Sequence, residues 1–252
     1  MASILDKYGI KEVADVTFYT ITDTGEPGNP VLYLDSLKVS TLEQTAESVY
    51  AEGGKGNARL IGWDFGKNIT LNIEDALFSM KSMAIMFGDG TVTTSSSGTT
   101  KKTIQFTATA TSTNTSSGAP TQWTDVTGKT HAISGVVFTD EVGATATSFT
   151  KGKKYFATFD VEVDKQTIRI GPDTFPGTYY IEGDTYCRSE SSGADEYFKF
   201  IVYKGKILSE NTITMEASGD PSVFNMSVEA LRATTQEGEK VMVDILKYMP
   251  TA

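Results

Sequence analysis

The chain has 252 residues, one cysteine (Cys187) and one histidine (His131), and carries 22 Lys and Arg against 32 Asp and Glu, a formal charge of −10. A chain of this length buries a core without disulfides, and a lone Cys and His cannot build a zinc site of His and Cys ligands within one chain. The acidic balance and the lack of any basic run exclude tight binding to nucleic-acid backbones and suit a surface that a polyanion passes without sticking.

"MASILDKYGIKEV" has no apolar stretch behind a basic start, and no apolar run is long enough to span a bilayer, so neither a secretory signal nor membrane insertion is expected. Beyond it, period-two alternation of β-branched and aromatic residues dominates. "ADVTFYTI" reads as a strand that breaks at "TDTGEPGNP", where Gly and Pro cannot continue it, and "VLYLDSLKVS" resumes as its hairpin partner. "TLEQTAESVYAEGGKGNA" shows polar residues and glycines without sustained periodicity, so residues 41–59 read as a long loop, and loops of that length are functional or disordered. The glycines suggest a phosphate loop. Lys55, however, is followed by Gly56 and Asn57 instead of a hydroxyl, no helix follows, and Gly53, Gly54 and Gly56 do not space as G-x-G-x-x-G. A positive-φ loop that binds no nucleotide is expected.

"KNITLNI" alternates Ile69, Leu71 and Ile73 as a strand. In "EDALFSMKSMAIMFG" the period changes. Leu77, Met80, Ala84 and Phe87 fall on one helical face, Glu74 and Asp75 stand at its positive end and Gly88 lies just past the last turn, which predicts one amphipathic helix over about residues 74–87 packed on a sheet. Residues 91–118 are more than half Ser and Thr, a composition that fits an edge hairpin or an inserted arm alike. A single β domain over 1–252 is expected, with an insertion or arm at about 91–150. Trp123, His131 and "SGVVFTD" read as one or two short strands. "KKYFATFDVEV", "GTYYIEGDTY" and "EYFKFIVY" are further strands, "KGK" reads as a turn, and "NTITMEA" and "SVFNMSVEALR" form a pair with Phe224, Met226 and Val228 on one face. "EGEKVMVDILKYM" fits a final strand or a short helix.

No set of catalytic groups converges. His131 has no G-x-S-x-G elbow to serve, Cys187 in "TYCRSE" sits among aromatic strand residues, and "SESSGADE" is too sparse in carboxylates for calcium. The reading is a protein that is not an enzyme, with no catalytic residue, cofactor or metal.

"GGKGNARLIGWDFGKNITLNIEDALFSMKSMAIMFG" and "KFIVYKGKILSENTITMEASGDPSVFNMSVEAL", the latter with a Gly219-Asp220-Pro221 turn, resemble the core and the closing strands of tail tube proteins of tailed bacteriophages. The likeness covers about the first ninety and last sixty residues. It implies a β-sandwich or half-barrel of antiparallel strands with one flanking helix. Six copies close into a ring around a common inner β-barrel, and rings stack into a tube through which phage DNA passes without specific binding. The implied location is the virion tail, assembled in the host cytoplasm, and the implied partners are further copies of the chain with sheath, baseplate and tail terminator proteins. In this setting residues 41–59 become an inter-subunit assembly loop, with Thr41, Leu42, Gln44, Tyr50, Gly53, Gly54, Lys55, Gly56 and Asn57 as its contact residues. Two rivals are a capsid decoration or fibre module, and a carbohydrate-binding protein or enzyme using Trp63, Trp123, Tyr179 and Tyr180.

Overall fold

The computed structural model describes residues 7–115, 118–213, 215 and 223–250, and the chain is mostly β, 58% strand and 3% helix. In chain order the described elements are β1 (Tyr8–Ile10), β2 (Asp15–Ile21), β3 (Pro27–Leu34), β4 (Leu37–Gly53), β5 (Ala58–Asp75), α1 (Met80–Phe87), β6 (Thr93–Thr107), β7 (Gln122–Thr124), β8 (Thr130–Ala132), β9 (Val137–Thr139) and β10 (Lys154–Thr167). They continue as β11 (Thr178–Ser189), β12 (Asp195–Ile207), β13 (Phe224–Ala230), β14 (Ala233–Thr234), β15 (Lys240–Val241) and β16 (Val243–Tyr248). Two compact units result, residues 1–92 with 168–252, and residues 93–167.

The first unit is built on one antiparallel sheet in the order β3-β2-β11-β12-β13-β5-β4, with β1 also on β11 and β16 also on β12. Its two edges, β3 and β4, are consecutive in the chain and joined only by Asp35 and Ser36. Laid flat, seven strands would hold those edges roughly 29 Å apart at the usual strand spacing, whereas three residue steps reach about 11 Å. The sheet must therefore fold back on itself. Ala14 N–H donating to Ser40 Oγ, from the start of β2 to β4, is one contact made by that closure. Inside lies a core of Val16, Phe18, Leu32, Leu34, Leu71, Ile73, Ile181, Val202, Met226 and Val228, with Ile85 and Met86 of α1 packed on it.

Several sequence expectations change here. "VLYLDSLKVS" is two strands broken at Asp35-Ser36. "KGK" is no turn, because β12 runs through Lys204, Gly205 and Lys206 to Ile207 and pairs with β13 there. "EGEKVMVDILKYM" closes as strands, β16 pairing with β12. Residues 211–213 form no strand, and the Gly219-Asp220-Pro221 turn with most of "NTITMEA" lies outside the described residues.

The helix is shorter than the periodicity implied. β5 extends to Asp75, whose carboxylate accepts from Ser36 Oγ and the Leu77 N–H, so Glu74 and Asp75 belong to the sheet. Ser79 starts α1 with a capping box to Ser82, and the Gly88 N–H donates to the Ala84 carbonyl at the other end. Leu77 therefore precedes the helix and is 67% exposed, and Met80 and Phe87 are half-buried. Of the four expected face residues only Ala84 is fully buried, beside Ile85 and Met86. Ile85→Ala is expected to lower stability by about 2–5 kcal/mol, the usual loss on emptying a core aliphatic site, and Leu77→Ala by no more than about 0.5 kcal/mol. Urea unfolding of the two variants checks this.

In the second unit the Ser/Thr-rich β6 is the edge strand of a three-stranded sheet, pairing with β10 from Thr93↔Thr167 to Thr107↔Lys154. Cross-strand pairs such as Thr103–Thr158 and Lys101–Asp160 suit its solvated face. Phe106, Phe138, Phe149 and Tyr155 meet largely edge to face in a small aromatic core. Trp123 stacks on His131, and Asp125 ends the same β7–β8 hairpin.

Asp125 accepts from the Thr127 hydroxyl and from the backbone N–H groups of Thr127 and Lys129, and lies 2.8 Å from His131 Nε2. These contacts, the Thr127 hydroxyl first and His131 next, hold its carboxyl well below the usual range. A folded value below the unfolded one of about 3.9 adds stability that is fully present above that pH and lost as pH falls toward the folded value. The unfolding midpoints of the native chain and Asp125→Asn should thus separate above about pH 4 and converge below it. A gap that stays constant from pH 7 to pH 2 would contradict this.

Candidate assembly surface

β4 and β5 are much longer than the body of the sheet needs. Near the body, Ile69, Leu71 and Ile73 point into the core opposite Gln44, Leu42 and Ser40. Beyond Thr45↔Asn68 both strands leave the core and run on as a two-stranded arm, with every residue from 43 to 50 and from 54 to 68 exposed. From Glu47 to Gly53 the arm is roughly 20 Å long at 3.4 Å per residue.

Residues 41–59 are consequently not a loop. Thr41, Leu42 and Gln44 pair with Asn72, Leu71 and Ile69, with Leu42 packing against the core, while Tyr50 and Gly53 lie on the outer part of β4. Only Gly54, Lys55, Gly56 and Asn57 form the turn. Gly54 (φ 81°), Gly56 (φ 87°) and Asn57 (φ 50°) are left-handed, which explains glycine at two of these positions without any phosphate. Asn57 donates to the Glu52 carboxylate.

The two faces of the arm differ sharply. On one, Ser48 donates to Asp64 at 2.6 Å, Tyr50 lies over Gly62, the Arg59 guanidinium sits 4.1 Å from the Tyr50 ring centre, and Glu52 pairs with Arg59. The other face carries Val49, Ala51, Leu60, Ile61, Trp63 and Phe65. The five large side chains among these are 52% to 65% exposed, and none of them packs against the core. The faces are set by a bulge. Between Thr45↔Asn68 and Glu47↔Phe65, Gly66 and Lys67 stand opposite the single residue Ala46, with Gly66 at φ +60°. Ile61, Trp63 and Phe65 share their odd-numbered alternation with Ile69, Leu71 and Ile73, and the extra residue moves them to the side away from the core.

The arm apolar residues were missed because residues 41–52 carry no apolar alternation. The signal available was in "LIGWDFG", where Ile61, Trp63 and Phe65 alternate with Gly62 and Asp64. The strand edges form a second feature. β4 is an edge strand whose outer N–H and C=O groups have no strand partner among the described residues, whereas the opposite edge, β3, carries Pro27 and Pro30, which lack an N–H.

The sheet face away from the core carries Asp15, Glu182, Asp184, Asp195, Glu229 and Asp244 against Arg188, Lys199 and Lys206. Two of these cations are tied, Arg188 to Asp195 at 2.6 and 2.7 Å and Lys199 to Glu182 and Asp184, while Lys206 stands opposite Glu229 in the ladder. Tyr248 donates to Asp184 and Tyr203 to Asp244. The Asp184 hydrogen bond raises the Tyr248 phenol to about 12, and burial followed by Asp244 does the same for Tyr203, so these groups stay neutral at physiological pH. Of the aromatic residues named for a sugar site, Tyr179 and Tyr180 are buried, Trp63 is on the arm outside the core, and Trp123 of the second unit is stacked on His131.

The described residues thus form a folded-back antiparallel β-sheet whose edge strand β4 runs on, with β5, into an arm with an uncovered apolar face. A family model of YomU/Tube proteins matches residues 8–245, and the chain belongs to this family of phage tail tube proteins. No curated protein matches it.

Proposed function

We propose that the chain is the subunit of a phage tail tube, a virion component assembled in the host cytoplasm in which six copies form a ring and rings stack into a conduit for DNA. The observation that carries this is the β4–β5 arm, a two-stranded element with one apolar face and nothing on it, in a protein of a tube family. An isolated two-stranded ribbon is marginal in water, and five large exposed apolar side chains on one face mark an interaction surface. The outer edge of β4 offers a neighbour a place to extend its sheet, which supports ring closure. The outer sheet face, on which carboxylates outnumber cations and Arg188 and Lys199 are paired, suits a wall along which DNA slides without being gripped. Sheath, baseplate and terminator proteins are the expected partners at the outside and ends of such a tube.

Negative-stain microscopy of the concentrated protein tests the reading. Hollow tubes of uniform width with sixfold end views are expected. Particles that stay monomeric or trimeric at all concentrations would favour a decoration or fibre module.

A further inference from the structure

We propose that the apolar face of the arm docks into an open cleft in the core of a second copy of this chain, which names the acceptor for the assembly contact and rests on the tube reading above. The cleft, about 420 Å³, is walled by Val13, Val39, Leu42, Phe198 and Ile245, with Lys38 among its lining residues. Ile245 stands opposite Phe200 in the β16–β12 ladder and so belongs to the core side of the sheet, yet it is 60% exposed. Val39 and Val13 are exposed as well. Here the core runs out into solvent with no described side chain to close it. A volume of this size lies in the range that holds buried ligand groups and admits a large side chain such as Trp63.

Donor and acceptor match in charge as well as in character. Lys38 has no ion pair among the described residues, and Lys11 and Glu12, both also lining the cleft, lie 3.9 Å apart, which leaves the lining one positive charge in excess. Glu47 at the root of the arm and Glu43 just on the body side of it follow the apolar residues on the same face of β4, and neither has an ion partner among the described residues. The contact must be between molecules. Val39 in the cleft wall and Val49 on the arm are ten residues apart on the same strand, roughly 34 Å at extended spacing, so an arm reaches its own cleft only by breaking its ladder. Because arm and cleft are different patches of one chain, the contact is heterologous and propagates along an axis.

Two cysteine variants of the full chain test this, Val49→Cys on the arm and Val39→Cys in the cleft. The native Cys187 is 2% exposed and stays out of the reaction. Mild oxidation of an assembled mixture should give a disulfide-linked dimer that neither variant gives alone. If tubes are visible in the same sample and no mixed dimer forms, the cleft is the wrong acceptor while the tube reading stands. If neither tubes nor dimers form, both fail. As a second measurement, Trp63→Glu and Ile245→Glu, each expected to abolish tubes, should associate when mixed, using the intact arm of one and the intact cleft of the other. Light scattering should show complexes that stop at two chains per arm contact, and a mixture that stays monomeric overturns the proposal.

Discussion

Replacing Ile61, Trp63 and Phe65 together by serine is expected to leave a soluble monomer with unchanged circular dichroism and a melting temperature within a few degrees of the native chain, but one that no longer forms tubes. All three side chains are more than half exposed and lie outside the core cluster, so the monomer loses little burial. In an assembly, each of them buried against a neighbour contributes on the order of 1.5–3 kcal/mol. Losing three such contacts per subunit would weaken each junction by several powers of ten, since about 1.4 kcal/mol is tenfold. The matched control replaces Ser48 and Asp64 on the polar face by alanine, which removes one surface hydrogen bond and should leave tubes intact. Sedimentation and negative-stain microscopy on the same samples read the result. Tubes from the serine variant would remove the arm from the assembly.

How much of this was legible in the sequence follows from what each segment buries. β2, β5 near the body, β11, β12 and β13 bury alternate residues such as Val16 and Phe18, Leu71 and Ile73, or Met226 and Val228, and that alternation is visible as a pattern. β4 beyond Leu42 buries almost nothing in the isolated chain, so no selection for alternation marks it, and its glycines at the turn made it look like a loop. Only its ladder with β5 makes it a strand. The helix was legible in kind but displaced in register, because Leu77 fits the helical face while the Asp75 carboxylate and the Ser79 capping box start the helix later. β6 shows a third limit. Forty-six residues separate the end of β6 from the start of its partner β10, and strand pairing over such a separation leaves no local trace. At the candidate surface, Gly54 to Asn57 were legible as a turn, and the exposed apolar face of Ile61, Trp63 and Phe65 was not. Their odd-position alternation continues in phase with the core residues, so a pattern reading assigns them to the core.

That phase shift is the work of Gly66, and substituting it should have a large effect for its size. Gly66→Val places a β-branched residue at φ +60°, a conformation that costs non-glycine residues on the order of 1–3 kcal/mol, at a position whose Cβ meets nothing closer than the Glu47 side chain. Crowding is therefore not the issue, and the strain is in the backbone. The arm can relieve it by giving up the bulge and slipping β5 by one residue against β4, and a one-residue slip moves every side chain of the strand to the other face. Trp63 and Phe65 would then share a face with Ser48 and Tyr50, and the Ser48–Asp64 and Glu52–Arg59 pairs would be lost. The core, which begins at Ile69, keeps its ladder with β13 from Thr70 to Asp75, so the body should stay folded. Expected results are a native-like circular dichroism spectrum, loss of the nuclear Overhauser contact between Tyr50 and Gly62, and no tubes. Gly66→Asn, a residue that tolerates the left-handed region, should retain the contact and the tubes. If the valine variant assembles normally with the Tyr50–Gly62 contact in place, the bulge does not set the face that the arm presents.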